Sequence, residues 1–196
     1  MNDPLASRVA FLLEADKLKT ILRRTPLVDA SRLENSAEHS WHLALAAMVL
    51  VEYAPTGVNV AHVLALVTIH DLVEVDAGDT FAYDPEHTKS KAERELAAAD
   101  RIFGLLPPGD GRRLRALWEE FEEHQTTEAR FANALDRFQA LLLNFASGGG
   151  SWNTHGVRRS QVMARMDPVR STLPGLWPYV VDVIDRSVRQ GLIAEG

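Results

Sequence analysis

The sequence predicts an all-α fold, and three observations carry that expectation. Apolar residues recur every three or four positions from one end to the other. Helix-start residues stand just ahead of several of these runs. No stretch shows the strict alternation, bounded by turn residues, that marks a strand.

Taken in order, Leu5, Val9, Leu12, Ala15, Leu18 and Leu22 describe a first helix after Pro4. Arg23-Arg24-Thr25-Pro26 ends it, because proline disfavours helical geometry in the residue before it. Asn35 or Ser36 caps a second helix reaching about Tyr53, with Glu38 placed to close a capping box from Asn35. Pro55-Thr56-Gly57 breaks the chain, and Asn59 caps a third helix running to about Val73. Asp76-Ala77-Gly78-Asp79 reads as a turn, and the polar segment from Thr80 to Thr88 as a loop of active-site type.

A charged amphipathic helix is expected over Lys89 to Phe103, and another over Arg112 to Glu123 after a Pro-Gly break. Thr126 or Thr127 caps the next, whose Phe131, Leu135, Phe138 and Leu142 form one buried stripe. The Ser147 to Ser151 segment is a flexible breaker, since no Lys-Ser/Thr pair follows its glycines. Helices over about Gly156 to Met166 and Tyr179 to Gln190 finish the chain.

At 196 residues and 46% apolar content, the chain is read as one domain over 1–196, with a core over about 7–145 and C-terminal helices over 156–193 packed on it. Cysteine is absent, so any metal must be held by His, Asp and Glu, and a cytoplasmic setting is expected. The N-terminus does not read as a signal peptide, and the longest apolar runs are too short to span a bilayer. A net charge of −6 gives long nucleic acids no basic surface, while small anions can still be held by a local metal or arginine.

The informative constellation is His39, His70-Asp71 and Asp136, with Glu74 one helical turn past His70. Imidazole nitrogens and carboxylate oxygens suit a divalent ion, and few ligands leave positions open for water and substrate. The ligands fall on the second, third and sixth expected helices. Singly, each has an ordinary reading: His70 a hydrogen-bonded core histidine, Asp136 a partner of Arg137, Glu74 a surface acid, Arg24 a helix-end charge. His42, three residues after His39, reads as a supporting or core residue; His62, His87, His124 and His155 read as surface or loop residues.

The order H…HD…D resembles the signature of the HD-domain metal-dependent phosphohydrolases. Glu34 to Ser40, His70 to Glu74 with Gly78-Asp79, and Leu117 to Phe121 through Leu135-Asp136 are similar to the branch holding the 5'-deoxynucleotidases and HD-domain-containing protein 2. The likeness runs roughly from Leu12 to Asn144. It implies a single-domain HD-type helical bundle with one divalent metal ion (Mn, Co, Fe, Mg or Zn) on His39, His70, Asp71 and Asp136. It further implies that Glu74 and Asp71 handle the proton or the attacking water, that Arg24 orients the phosphate, and that Asp79 and Thr80 contact the sugar. Thr25 stands where the bacterial nucleotidases carry an aromatic residue that helps choose the sugar.

The expected function is therefore removal of the 5'-phosphate from (deoxy)nucleoside 5'-monophosphates. The alternatives are a phosphatase or pyrophosphohydrolase acting on a modified nucleotide, and a non-catalytic nucleotide-binding regulatory module. Relatives of this kind are commonly homodimers, and Trp177 with the Tyr179 to Ile193 helix offers apolar surface for such a contact.

Overall fold

A computed structural model describes residues 3–83 and 90–196, and they are mainly helical. Helix α1, Pro4–Ala15, carries Pro at its first position and is capped by the Asp3 side chain. A 3-10 segment, Asp16–Thr20, follows. The chain then becomes extended, which sequence periodicity did not anticipate: β1, Leu22–Pro26, pairs antiparallel with β2, Leu33–Asn35. This corrects the expectation of no strands and of a first helix running through Leu22. Strands of five and three residues hold too few alternations to register against a helical background.

Helix α2, Ser36–Val49, starts on the expected capping box: Glu38 N–H donates to the Asn35 side chain, and Asn35 N–H to the Glu38 carboxylate. Asn59 caps α3, Val60–Ile69, which stops sooner than expected. The chain from His70 to Val73 tightens into i to i+3 bonds, Leu72 N–H to Ile69 O and Glu74 N–H to Asp71 O, before the one-turn α4, Glu74–Ala77. Gly78, at φ +72°, reverses the chain after α4 and returns Asp79 toward the centre.

The second half comprises α5 (Lys91–Phe103), α6 (Pro108–Glu123), α7 (Thr127–Ala146, capped by Thr126), α8 (Gly150–His155), α9 (Arg159–Arg165), α10 (Asp167–Thr172) and α11 (Trp177–Arg189). Of the expected loop, 84–88 lie outside the described residues, as do Lys89 and His87.

Helices α2, α3 and α7 pack on one another, α6 lies against α3 and α7, and α10 against α7. One apolar cluster joins Leu43, Leu66, Phe131, Leu135 and Leu141 to Val180, Val183 and Ile184 of α11. A second joins Ile69, Leu72, Ile102, Phe103 and Trp118. Helices α3 and α6 feed both clusters, and His70 stands at the end of α3 between them. The C-terminal segment is tied back by Arg159 N–H to Ala194 O at 2.7 Å.

The apolar face of α11 is spent on the core, with only Tyr179 half exposed among its large apolar residues. Large exposed apolar side chains gather instead on α1 (Leu5, Leu12, Leu13) and α2 (Trp41, Met48, Val49). Among the described residues, no helix is long and apolar enough to cross a membrane.

Candidate metal centre

His39, His70 and Asp136 each offer one donor atom within 4.8 Å of the others. They come from α2, the C-terminal end of α3 and α7, so three packed helices fix their separation. His39 Nε2 lies 3.0 Å from Asp136 Oδ1, and the two imidazole rings are 5.5 Å apart, centroid to centroid. Asp71 stands beside this trio rather than within it: its Oδ1 is 3.0 Å from His70 Nε2, and its Oδ2 accepts from Arg23 Nη1 at 3.1 Å.

The hydrogen bonds behind the rings set their tautomers. His70 Nδ1–H donates to the Val67 carbonyl at 2.9 Å, and His39 Nδ1–H to Gln139 Oε1 at 3.2 Å. Each ring then turns its Nε2 toward the other donors, and both Nε2 atoms are buried without a hydrogen-bond partner. Two orphaned nitrogens beside carboxylate oxygens, at low exposure, are what a borderline divalent cation would satisfy. The donor set fits the implied metal.

Gln139 is held as firmly as the ring it orients. Its Nε2 donates to Glu34 Oε1 at 2.7 Å and meets His42 Nδ1 at 3.2 Å. His42 therefore acts through Gln139 rather than approaching the donors themselves. Gln139 and Glu34 are missing from the sequence-derived site, since a glutamine on an apolar stripe carries no signature of its own.

Electrostatics follow from burial and from this crowd of acids. Burial and Arg23 oppose a charge on His39, yet the adjacent Asp136 and Glu34 carboxylates raise it to about 9 in the metal-free protein. Burial opposes ionisation of Asp136, but the His39 hydrogen bond and Arg137 hold it well below the usual carboxylate range. Burial, then Asp71, pushes Glu74 well above its ordinary value, although Ser36 Oγ donates to its Oε2 at 2.6 Å. Burial raises Asp79 against the pull of Arg23, and burial lowers His70.

Strand β1 decides which arginine enters. Side chains alternate along a strand, so Arg23 and Thr25 turn inward while Arg24 stays exposed. The Arg23 guanidinium is 3.1 Å from Asp71, 3.5 Å from Glu34 and 3.7 Å from Asp136. The family resemblance implied Arg24 as the arginine that orients the phosphate; in the hairpin Arg24 lines the cavity but lies outside the ring of acids. Thr25, Asp79, Thr80, Asp71 and Glu74 also line that cavity. Thr80 Oγ1 accepts from Arg94 at 3.0 Å. Of the remaining histidines, His124 is half buried beside Asn133, whose Nδ2 is 2.6 Å from its Nε2.

A helical bundle enclosing two histidines and two aspartates in the order H…HD…D defines a class, and the HD domain family model matches residues 15–177. The chain belongs to the HD domain family. The 5'-deoxynucleotidase HDDC2 of Homo sapiens is 30% identical over 136 residues, 67% of this chain and 65% of that protein. The chain thus spans just under two thirds of the length of that relative. A solved structure described as a predicted metal-dependent phosphohydrolase from Magnetospirillum magnetotacticum is 48% identical and superposes with a TM-score of 0.93, covering 97% of this chain and 96% of that one. An HD-domain phosphohydrolase from Listeria innocua shares the fold at 17% identity and a TM-score of 0.65, over 93% and 95% of the two chains.

Proposed function

We propose that this chain is a metal-dependent phosphohydrolase that removes the 5'-phosphate from (deoxy)nucleoside 5'-monophosphates. The observation that carries the reading is the pair of buried, partnerless Nε2 atoms on His39 and His70, facing Asp136 beside a buried Glu74. The kinship with a human 5'-deoxynucleotidase supports the substrate class.

His39, His70 and Asp136, joined by Asp71 once it turns from Arg23, would hold one divalent ion of the Mn, Co, Fe, Mg or Zn type. Such an ion, when bound, supplies an acidified water and neutralises phosphoryl charge. Arg23 keeps the acids around the donors from repelling one another. Burial and the Asp71 charge favour the protonated form of Glu74, which suits protonation of the leaving 5'-oxygen. Arg24, at the exposed side of β1, is placed to meet phosphate oxygens, and Thr25, Asp79 and Thr80 to meet the sugar. A homodimer remains part of this reading, with its contact moved from α11 to the apolar surface of α1 and α2. A cytoplasmic setting follows from the cysteine-free composition.

The test is phosphate release from a panel of nucleotides with Mn, Co, Mg and Zn, comparing the native chain with Asp71→Ala and Glu74→Ala. Both variants should lose turnover, and Glu74→Ala should keep its metal. Activity surviving Asp71→Ala would sink the mechanism.

A further inference from the structure

The cavity that opens on the metal donors contains more positive charge on one wall than the hydrolytic centre uses. Arg23 is spent on Asp71, Glu34 and Asp136, and Lys91 lies 3.4 Å from Glu95 and 3.8 Å from Glu122. Arg137 and Arg165 line the same cavity, and Asp136 is the one carboxylate paired with either among the described residues. Arg137 Nη1 meets Asp136 Oδ2 at 3.1 Å, but Asp136 also faces His39 and belongs to the metal donors. Among the described residues, no carboxylate lies within ion-pair distance of Arg165.

Arg165 sits near the end of α9 and Arg137 on α7, so two separate elements bring these guanidinium groups to one place. Burial, and then the charge of Arg137, pull Arg165 down to about 10, so it remains a cation at neutral pH with a like charge for its neighbour. A third donor adjoins them. Tyr83 lines the cavity with them, and its O–H can donate there. Two guanidinium groups and a hydroxyl, sharing only the Asp136 carboxylate among the described residues, match phosphate oxygens in charge and in hydrogen-bond direction.

We propose that Arg137 and Arg165 form a second anion subsite, which takes a second phosphate group on the nucleotide whose 5'-phosphate lies at the metal donors. This rests on the nucleotide-phosphohydrolase reading and extends it to doubly phosphorylated substrates. The second group is either the outer phosphate of a 5'-diphosphate or the 3'-phosphate of a 3',5'-bisphosphate.

The experiment measures binding by calorimetry, using the cobalt-loaded protein in a Glu74→Gln background so that ligand is not consumed. Deoxyadenosine 5'-monophosphate, 5'-diphosphate and 3',5'-bisphosphate are compared on Arg165, Arg165→Gln and Arg165→Lys. With Arg165 present, one of the doubly phosphorylated ligands should bind at least about 10-fold more tightly than the monophosphate. Arg165→Gln should erase that advantage while leaving monophosphate affinity within about 2-fold, and Arg165→Lys should restore part of it. Whichever ligand shows the advantage locates the second phosphate. Equal affinity for all three ligands overturns the proposal. So does an Arg165→Gln loss shared equally by the monophosphate, which would put Arg165 on the reacting phosphate. If the native chain released no phosphate with any metal, the hydrolase reading would fail while the binding comparison still decided the subsite.

Discussion

Nε2 of His39 lies 3.0 Å from Oδ1 of Asp136, a nitrogen and a carboxylate oxygen that can share a proton or a cation but not face each other bare. Without metal the proton stays, because the adjacent Asp136 and Glu34 carboxylates outweigh burial and raise His39 to about 9. Metal binding must expel it. Titration of chelator-stripped protein at pH 7.5 in buffers of different ionisation enthalpy should show about one proton released per metal bound. Release should fade above pH 9. The sign for stability follows: a raised folded pKa stabilises the stripped protein fully below 6.5, and that contribution disappears as pH rises through about 9.

Gln139 fixes the tautomer of His39 through a bond to Nδ1 at 3.2 Å. Gln139→Leu keeps the volume but frees the ring and strips Glu34 of its 2.7 Å donor. Metal affinity should fall about 10- to 100-fold. Stability should fall by about 1–3 kcal/mol. Equilibrium dialysis and urea unfolding read the two effects separately.

Arg23 balances three acids, so Arg23→Gln leaves Asp71, Glu34 and Asp136 mutually repelling around the donors. The stripped variant should melt well below the native protein, at a cost of about 3–5 kcal/mol. A divalent ion then relieves more repulsion than it does in the native chain. The increase in melting temperature on adding Mn should accordingly be larger in the variant; an equal increase would show that Arg23 does not balance these acids.

Glu95 rises to about 7 because burial outweighs the pull of Lys91. A carboxyl raised from 4.5 favours the folded state fully below that pH and loses the contribution as pH climbs through about 7. Glu95→Gln should therefore match the native protein near pH 5 and exceed it at pH 8 by about 1–2 kcal/mol. In a chain of this size that is about 3–6 °C in Tm, readable by calorimetry at the two pH values.

Gly150 holds a φ of +39°, and a β-carbon there would stand 2.8 Å from both Asn144 Oδ1 and Pro26 Cδ. Gly150→Ala should lose about 2 kcal/mol or more, from strain and from displaced packing at once. Since Pro26 ends the strand that carries Arg23, activity at permissive temperature should fall as well.

Much of the helical plan was legible because caps are local chemistry. Asn35 with Glu38, Asn59, and Thr126 each begin the helix that their side chains foretell. The three converging donors were legible too, since His39, His70 and Asp136 interrupt apolar stripes where an unpaired polar group is costly. Arg23 was not, because its role depends on strand parity, and a hairpin this short leaves no periodic trace. Glu34 and Gln139 were hidden for another reason: each acts through the other, 105 residues away in sequence.

The alternation along β1 makes the site sensitive to chain length as well as to residue identity. Arg23 and Arg24 are chemically the same, and only the pleat assigns one to the acids and the other to the exterior. A one-residue slip of β1 against β2 would exchange inner for outer, and would turn Thr25 out of the cavity with it. Drift through substitution at Leu22 or Arg24 costs this hairpin little; drift by insertion or deletion rewires it.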